Sequence, residues 1–168
     1  RMLRRVRTFG FHLATLDVRQ QALVHREIIG EALGDPDWVR RPALERAGRL
    51  ASALAADESP FEELTPAGKR AIWVFEAMEF CRKRFGEAAV GTYVVSMAQD
   101  IDDVLSILLL ARWAGMADGP GGQVPLDVAP LFESVEALEE AGAIIARLLA
   151  DPVYRAHLAD RGDRQAVM

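Results

Sequence analysis

FGFHLATLDV, residues 9–18, is an almost uninterrupted run of apolar side chains that stops abruptly at Arg19 and Gln20. A run of that length, bounded by polar residues, predicts a strand buried on both faces, the signature of a parallel sheet. The next dozen residues have a different period. Leu23, Ile28, Ile29, Ala32 and Leu33 fall on one helical stripe across residues 21–33, and Gly34 with Asp35-Pro36 closes it. A strand followed directly by a helix suggests an alternating α/β chain.

The alternation continues outward from that unit. Residues 42–56 carry Leu44, Ala47, Leu50 and Leu54 at helical spacing, and turn residues 57–60 interrupt them. Thr65-Pro66 is a helix start, a capping hydroxyl followed by proline at the first helical position. That helix is expected to reach Phe85, with Ile72, Phe75, Met78, Phe80 and Phe85 on its apolar face and Gly86 as a left-handed cap. A second strand is expected at residues 92–97 (TYVVSM) and a helix over 102–114, opened by the acidic group Asp100, Asp102 and Asp103. After the glycine-rich loop 115–123, a third strand over 124–132 ends at Glu133, and Ser134 caps a helix over 135–150. A short helix over 153–159 leads to Gln165-Ala166-Val167-Met168, which resembles the opening of a fourth strand.

Composition narrows the function classes. The 168 residues are 51% apolar and 27% charged, as in ordinary globular proteins. The longest strongly apolar stretch, residues 104–111, is far short of the ~20 residues of a membrane helix. A net charge of −5 with mixed signs argues against a nucleic-acid footprint, and the basic run over residues 1–7 is expected to be a solvated helix. Cys81 stands alone, which excludes a disulfide framework and favours a reducing, cytoplasmic setting. The chain opens at Arg1 within a helical pattern and stops inside a strand pattern, so it is expected to be one partial domain of a larger α/β enzyme.

Either a barrel or an open doubly wound sheet would satisfy the alternation. No Gly-x-Gly-x-x-Gly and no Gly-Lys-Ser/Thr loop follows a strand, which removes the main support for a nucleotide-binding open sheet. In a barrel the functional groups gather at the carboxyl ends of the strands. Those ends hold residues 17–20, residues 96–100 and Glu133. Asp17 is expected to be an orienting partner for Arg19 or for a neighbouring strand. Ser96, Gln99 and Asp100 are expected to cap the next helix more than to line a site. His12, His25 and His157 show no metal-ligand spacing, and Trp38, Trp73 and Trp113 fall on different helices as packing residues.

Three blocks together carry a family resemblance. Phe9-Gly10 through Leu16-Asp17-Val18-Arg19-Gln20, then Tyr93-Val94-Val95-Ser96-Met97 with Asp103-Val104-Leu105, then Val128-Ala129-Pro130-Leu131-Phe132-Glu133 resemble successive blocks of phosphoenolpyruvate carboxylase. The resemblance implies a helix-rich (β/α)8 TIM-type barrel, of which this chain would hold three strands and the start of a fourth. It implies a lyase in oxaloacetate metabolism that joins phosphoenolpyruvate to bicarbonate, giving oxaloacetate and phosphate through carboxyphosphate and the enolate of pyruvate. Mg²⁺ or Mn²⁺ is implied as cofactor, and a cytoplasmic homotetramer as the assembly, with neither nucleic acid nor membrane as partner. By the same resemblance Glu133 is one of two carboxylates holding the metal, and Arg19 is a catalytic and substrate-binding residue at the phosphoryl group. The second carboxylate and the catalytic histidine lie in blocks this chain does not contain, so the chain alone is expected to be inactive. The sequence departs from the family at residues 98–102, where a turn with threonine, serine and proline is more usual. Two other readings stay open: a degenerate module used for binding, and another metal-dependent barrel enzyme acting on a pyruvate enolate without bicarbonate.

Overall fold

The computed structural model describes residues 1–9, 14–60, 63–117, 119 and 121–168, leaving aside the side chain of Phe9. The elements are α1 (Met2–Phe9), β1 (Leu16–Gln21), α2 (Ala22–Ala32), α3 (Ala43–Ala55), α4 (Pro66–Phe85), β2 (Val90–Ser96), α5 (Ile101–Trp113), β3 (Val128–Leu131), α6 (Val135–Ala150) and α7 (Pro152–Asp160). Three parallel strands lie in the order β1-β2-β3, each followed by helix, as the alternation predicts.

The register aligns the strand ends. Gln21 pairs with Ser96, and Ser96 pairs with Leu131, so the three chains leave the sheet at one level. The Met168 N–H donates to the Pro130 carbonyl and the Phe132 N–H to the Met168 carbonyl, both at 3.0 Å. This is the bonding pattern of a parallel strand starting on the free side of β3, where residues 165–168 are expected to begin one.

The first strand differs from expectation. It is LDVRQQ, not FGFHLATLDV: Phe9 ends α1, residues 10–13 lie outside those described, and Leu16 is 68% exposed. Among the described residues β1 pairs with one strand, and of its own side chains Val18 packs against the core. Asp17 sits at a bulge, where its carboxylate accepts the Thr92 N–H at 2.8 Å. Gly91 makes room for that contact, because a Cβ there would collide with the Asp17 carboxylate and lie 2.9 Å from Thr15 Cγ2.

The core is centred on α5. A helix apolar on nearly every side belongs in an interior, and residues 101–111 are all buried, packed against α3, α2, α4, α6 and β3. Phe75 of α4 stacks on Tyr93 of β2 at 5.1 Å between ring centroids. Phe80 and Phe85, expected on the same apolar face, are exposed, because α4 buries only the Gly68, Ile72, Phe75 and Met78 side. Gly86 ends α4 at φ 99°, ψ 160°. That positive φ needs glycine, but it is an extended exit into the turn Glu87–Ala89 instead of the left-handed cap expected. The third strand spans only four residues of the expected nine, and Val124 and Leu126 are buried before it in a non-strand segment.

The caps expected at Thr65 and Ser134 form, and the structure adds one at Asp151. Thr65 accepts from the Gly68 N–H, Ser134 from Ala137, and Asp151 from Val153 and Tyr154 with Pro152 beginning α7. The basic α1 is exposed from Met2 through Thr8. No helix among the described residues is long and apolar enough to cross a membrane.

Candidate functional site

Arg19 lies two residues before the end of β1, Glu133 two residues after β3, and Met97 directly after β2. The aligned strand ends bring these three together. Arg19 Nη2 donates to Glu133 Oε1 at 2.7 Å, and the Met97 N–H donates to Glu133 Oε2 at 3.0 Å. One carboxylate thus joins the carboxyl ends of all three strands across 114 residues of sequence. The Arg19 side chain is 56% exposed and that of Glu133 31%, so the pair opens to solvent.

Met97 holds its N–H toward Glu133 in a backbone conformation that non-glycine residues seldom adopt, φ +55°. Its loop is tied on the far side: the Ala98 N–H donates to the Leu131 carbonyl at 3.1 Å, and the Gln99 N–H to Asp103 Oδ2 at 2.8 Å. Asp100 caps α5 through the Ile101 N–H and also accepts from Arg147 Nη2 at 3.0 Å. Capping is therefore what Asp100 does, as expected, whereas Gln99 uses its side chain on an arginine and Ser96 is buried at the strand end.

That arginine belongs to a second, buried group. Arg26 of α2 grips Asp103 of α5 with two hydrogen bonds, Nε to Oδ1 at 2.8 Å and Nη2 to Oδ2 at 2.7 Å, while its Nη1 donates to Gln99 Oε1 at 2.9 Å. Arg46 of α3 donates through Nε to Asp102 Oδ2 at 2.6 Å. Both aspartates are fully buried and both arginines nearly so. Two guanidiniums against two carboxylates leave the cluster without net charge, the condition under which ions persist inside a protein. Burial, with the adjacent Asp103 charge, still pushes the Asp102 carboxyl up to about 6.

Sequence reasoning assigned Asp102 and Asp103 to the helix dipole and passed over Arg26 and Arg46. The signal was present: two acids opening a helix that is otherwise apolar all round must be buried, and buried acids require cationic partners. The remaining expectations divide. Asp17 bonds to the neighbouring strand's backbone and not to Arg19. His25 and His157 are buried as structural residues, and burial pushes both imidazoles down to about 4. His12 lies outside the described residues. Trp38 is buried and Trp113 donates its indole N–H to the Glu58 carbonyl at 2.6 Å, but Trp73 is 60% exposed and packs nothing into the core. Cys81 is a half-buried free thiol.

A partly exposed carboxylate at the strand ends suits a hard divalent cation such as Mg²⁺, which takes one or two carboxylates and fills its other positions with water and substrate oxygens. Among the described residues no group of three or more His, Cys, Asp or Glu side chains forms a metal-holding cluster. Of the three residues gathered at these strand ends, Glu133 is the carboxylate that could hold such an ion.

A family model described as phosphoenolpyruvate carboxylase matches residues 1–168. Among curated proteins, the chain is 48% identical over 169 residues to the phosphoenolpyruvate carboxylase of Xanthomonas euvesicatoria pv. vesicatoria, covering 100% of this chain and 18% of that protein. It is 38% identical over 172 residues to the protein of the same name from Mycobacterium avium, covering 97% of this chain and 18% of that protein. With that of Rhodopseudomonas palustris it shares 35% over 176 residues, covering 100% and 19%. The chain spans less than a fifth of the length of these relatives.

Proposed function

This chain belongs to the phosphoenolpyruvate carboxylase family, and on that premise we propose that it supplies part of the site at which phosphoenolpyruvate and bicarbonate become oxaloacetate and phosphate. One observation carries the residue assignments, the exposed Arg19–Glu133 contact of 2.7 Å at the aligned ends of three parallel strands. The wider frame is a (β/α)8 barrel in which active-site groups occupy that end of the sheet.

Arg19 binds the phosphoryl group. A planar guanidinium offers paired donors that match phosphate oxygens, and it keeps its charge at any working pH. Its contact with Glu133 is easily exchanged, because a solvent-exposed ion pair contributes only about 0–1 kcal/mol. Glu133 holds the divalent cation, and the Met97 N–H keeps that carboxylate aimed while Arg19 turns to substrate. When bound, the ion supplies Lewis-acid stabilisation of negative charge on substrate oxygens.

The chemistry breaks the P–O bond of phosphoenolpyruvate and forms one to bicarbonate, giving carboxyphosphate and the enolate of pyruvate. The enolate carbon then bonds to the carboxyl carbon as phosphate leaves. Arg19 serves the first step by countering charge on the phosphoryl oxygens in flight.

The test is oxaloacetate formation by the full-length protein carrying this segment, assayed with and without Mn²⁺ and bicarbonate. Arg19→Ala and Glu133→Ala, each with folding intact, are expected to lose about 10²-fold or more in kcat/KM, the scale for removing a charge-stabilising group. Activity unchanged in Glu133→Ala overturns the metal assignment. Turnover that ignores bicarbonate overturns the carboxylation reading in favour of another pyruvate-enolate chemistry.

A further inference from the structure

The geometry points to Arg26 and Asp103 as positioning residues that set the aim of the Glu133 carboxylate through the loop 97–100, an inference that rests on reading Glu133 as the metal ligand. Neither side chain touches Arg19 or Glu133. Their reach is through the backbone. Glu133 Oε2 takes its direction from the Met97 N–H, and Met97 holds that direction only while its backbone stays at φ +55°. Such a conformation persists where the surroundings over-determine it.

On the near side β2 is locked between two strands. On the far side, besides the Ala98–Leu131 and Asp100–Arg147 hydrogen bonds, the loop is fastened by the buried pair. Asp103 Oδ2 accepts the Gln99 N–H while it also receives Arg26 Nη2, and Arg26 Nη1 reaches past it to Gln99 Oε1. Gln99 is thus held at main chain and side chain by two groups whose own rotamers are fixed by burial, with side-chain exposures of 9% for Arg26 and 0% for Asp103. Three of the five guanidinium donors are used on two acceptor residues, a fork that lysine's single ammonium does not reproduce.

A pair that served only to hold α2 against α5 would have no effect on metal binding once the protein is folded. The experiment therefore measures Mn²⁺ affinity of the full-length protein without substrates, from the electron paramagnetic resonance signal of free Mn²⁺. Asp103→Asn, Gln99→Ala and Glu133→Gln are compared with the parent, with melting temperatures recorded alongside. Asp103→Asn is expected to weaken Mn²⁺ about tenfold, the scale of groups that orient a ligand from behind. Gln99→Ala leaves the buried pair intact on an exposed residue, so it is expected to melt like the parent and to weaken Mn²⁺ by less, in the same direction. If Asp103→Asn does not fold, Gln99→Ala decides by itself.

Parent-like Mn²⁺ affinity in Gln99→Ala and in any folded Asp103→Asn, with affinity lost in Glu133→Gln, overturns this inference alone. Parent-like affinity in Glu133→Gln overturns the metal reading and this inference with it.

Discussion

Arg19–Glu133 and Arg26–Asp103 are both arginine–carboxylate pairs closed at 2.7 Å, both joining segments distant in sequence, and both at one end of the same sheet. They differ in water. The first pair is 56% and 31% exposed, the second 9% and 0%. Exposure makes the first exchangeable, as the proposed binding of a phosphoryl group and a cation requires. Burial makes the second permanent, because either ion left without the other would face the full penalty of desolvation. Identical chemistry and distance thus give an openable contact in one place, where the ligand site is proposed, and a fixed part of the scaffold in the other.

The comparison is most easily broken by removing one ion from each region. Arg46→Ala leaves Asp102 buried without its 2.6 Å partner and is expected to lower unfolding free energy by about 3–5 kcal/mol, measured by urea denaturation. A cost below about 1 kcal/mol would mean that the buried group is no more committed than the exposed one.

Acid probes whether the buried region is closed to protons. His25 and His157 are held down to about 4 by burial, against 6.5 for a free imidazole, so both stay neutral in the folded chain where the unfolded chain would charge them. Their contribution is complete above pH 6.5 and is lost as pH falls toward 4. Asp102, raised to about 6, acts in the opposite sense over about pH 4–6, since its protonated form is favoured by folding. Two imidazoles outweigh one carboxyl, and stability is expected to fall by about 3 kcal/mol between pH 6.5 and 4. Denaturation curves across that range check the sign, and a flat profile would show that these imidazoles take up protons without unfolding.

Gly91→Ala tests the boundary between the regions, the bulge just before β1 reaches Arg19. The added methyl meets the Asp17 carboxylate, and the expected loss is about 1–3 kcal/mol in a thermal melt. Smallest of all should be the stability effect of Glu133→Gln, within about 1 kcal/mol of the parent despite a large loss of activity in the full-length protein. A destabilisation equal to that of Arg46→Ala would erase the distinction between the two pairs.

Much of the architecture was legible because it depends on local patterns. Thr65-Pro66 and Ser134 announce helix starts through bonds formed within three residues. Arg19 and Glu133 were legible as residues at strand ends and through the family blocks around them. The buried ion group was not, because its members come from α2, α3 and α5, and nothing local in Arg26 or Arg46 says which acid each will meet. The boundaries of β1 also escaped, since an apolar run has the same appearance whether it ends a helix or enters a strand. Phe80, Phe85 and Trp73 misled for a related reason: helical spacing reports which residues share a face, not whether anything covers it.

Short-range pattern in the sequence carried the alternation of strand and helix, the parallel sheet and the caps at Thr65 and Ser134, whereas Arg19 and Glu133 were singled out by the family resemblance. Packing settled that Arg19 and Glu133 touch, that the Met97 N–H meets the carboxylate, and that Asp102 and Asp103 are core ions instead of surface acids. Those outcomes depend on how much water remains around a charge, and solvent exclusion belongs to the packed assembly of elements rather than to any one of them.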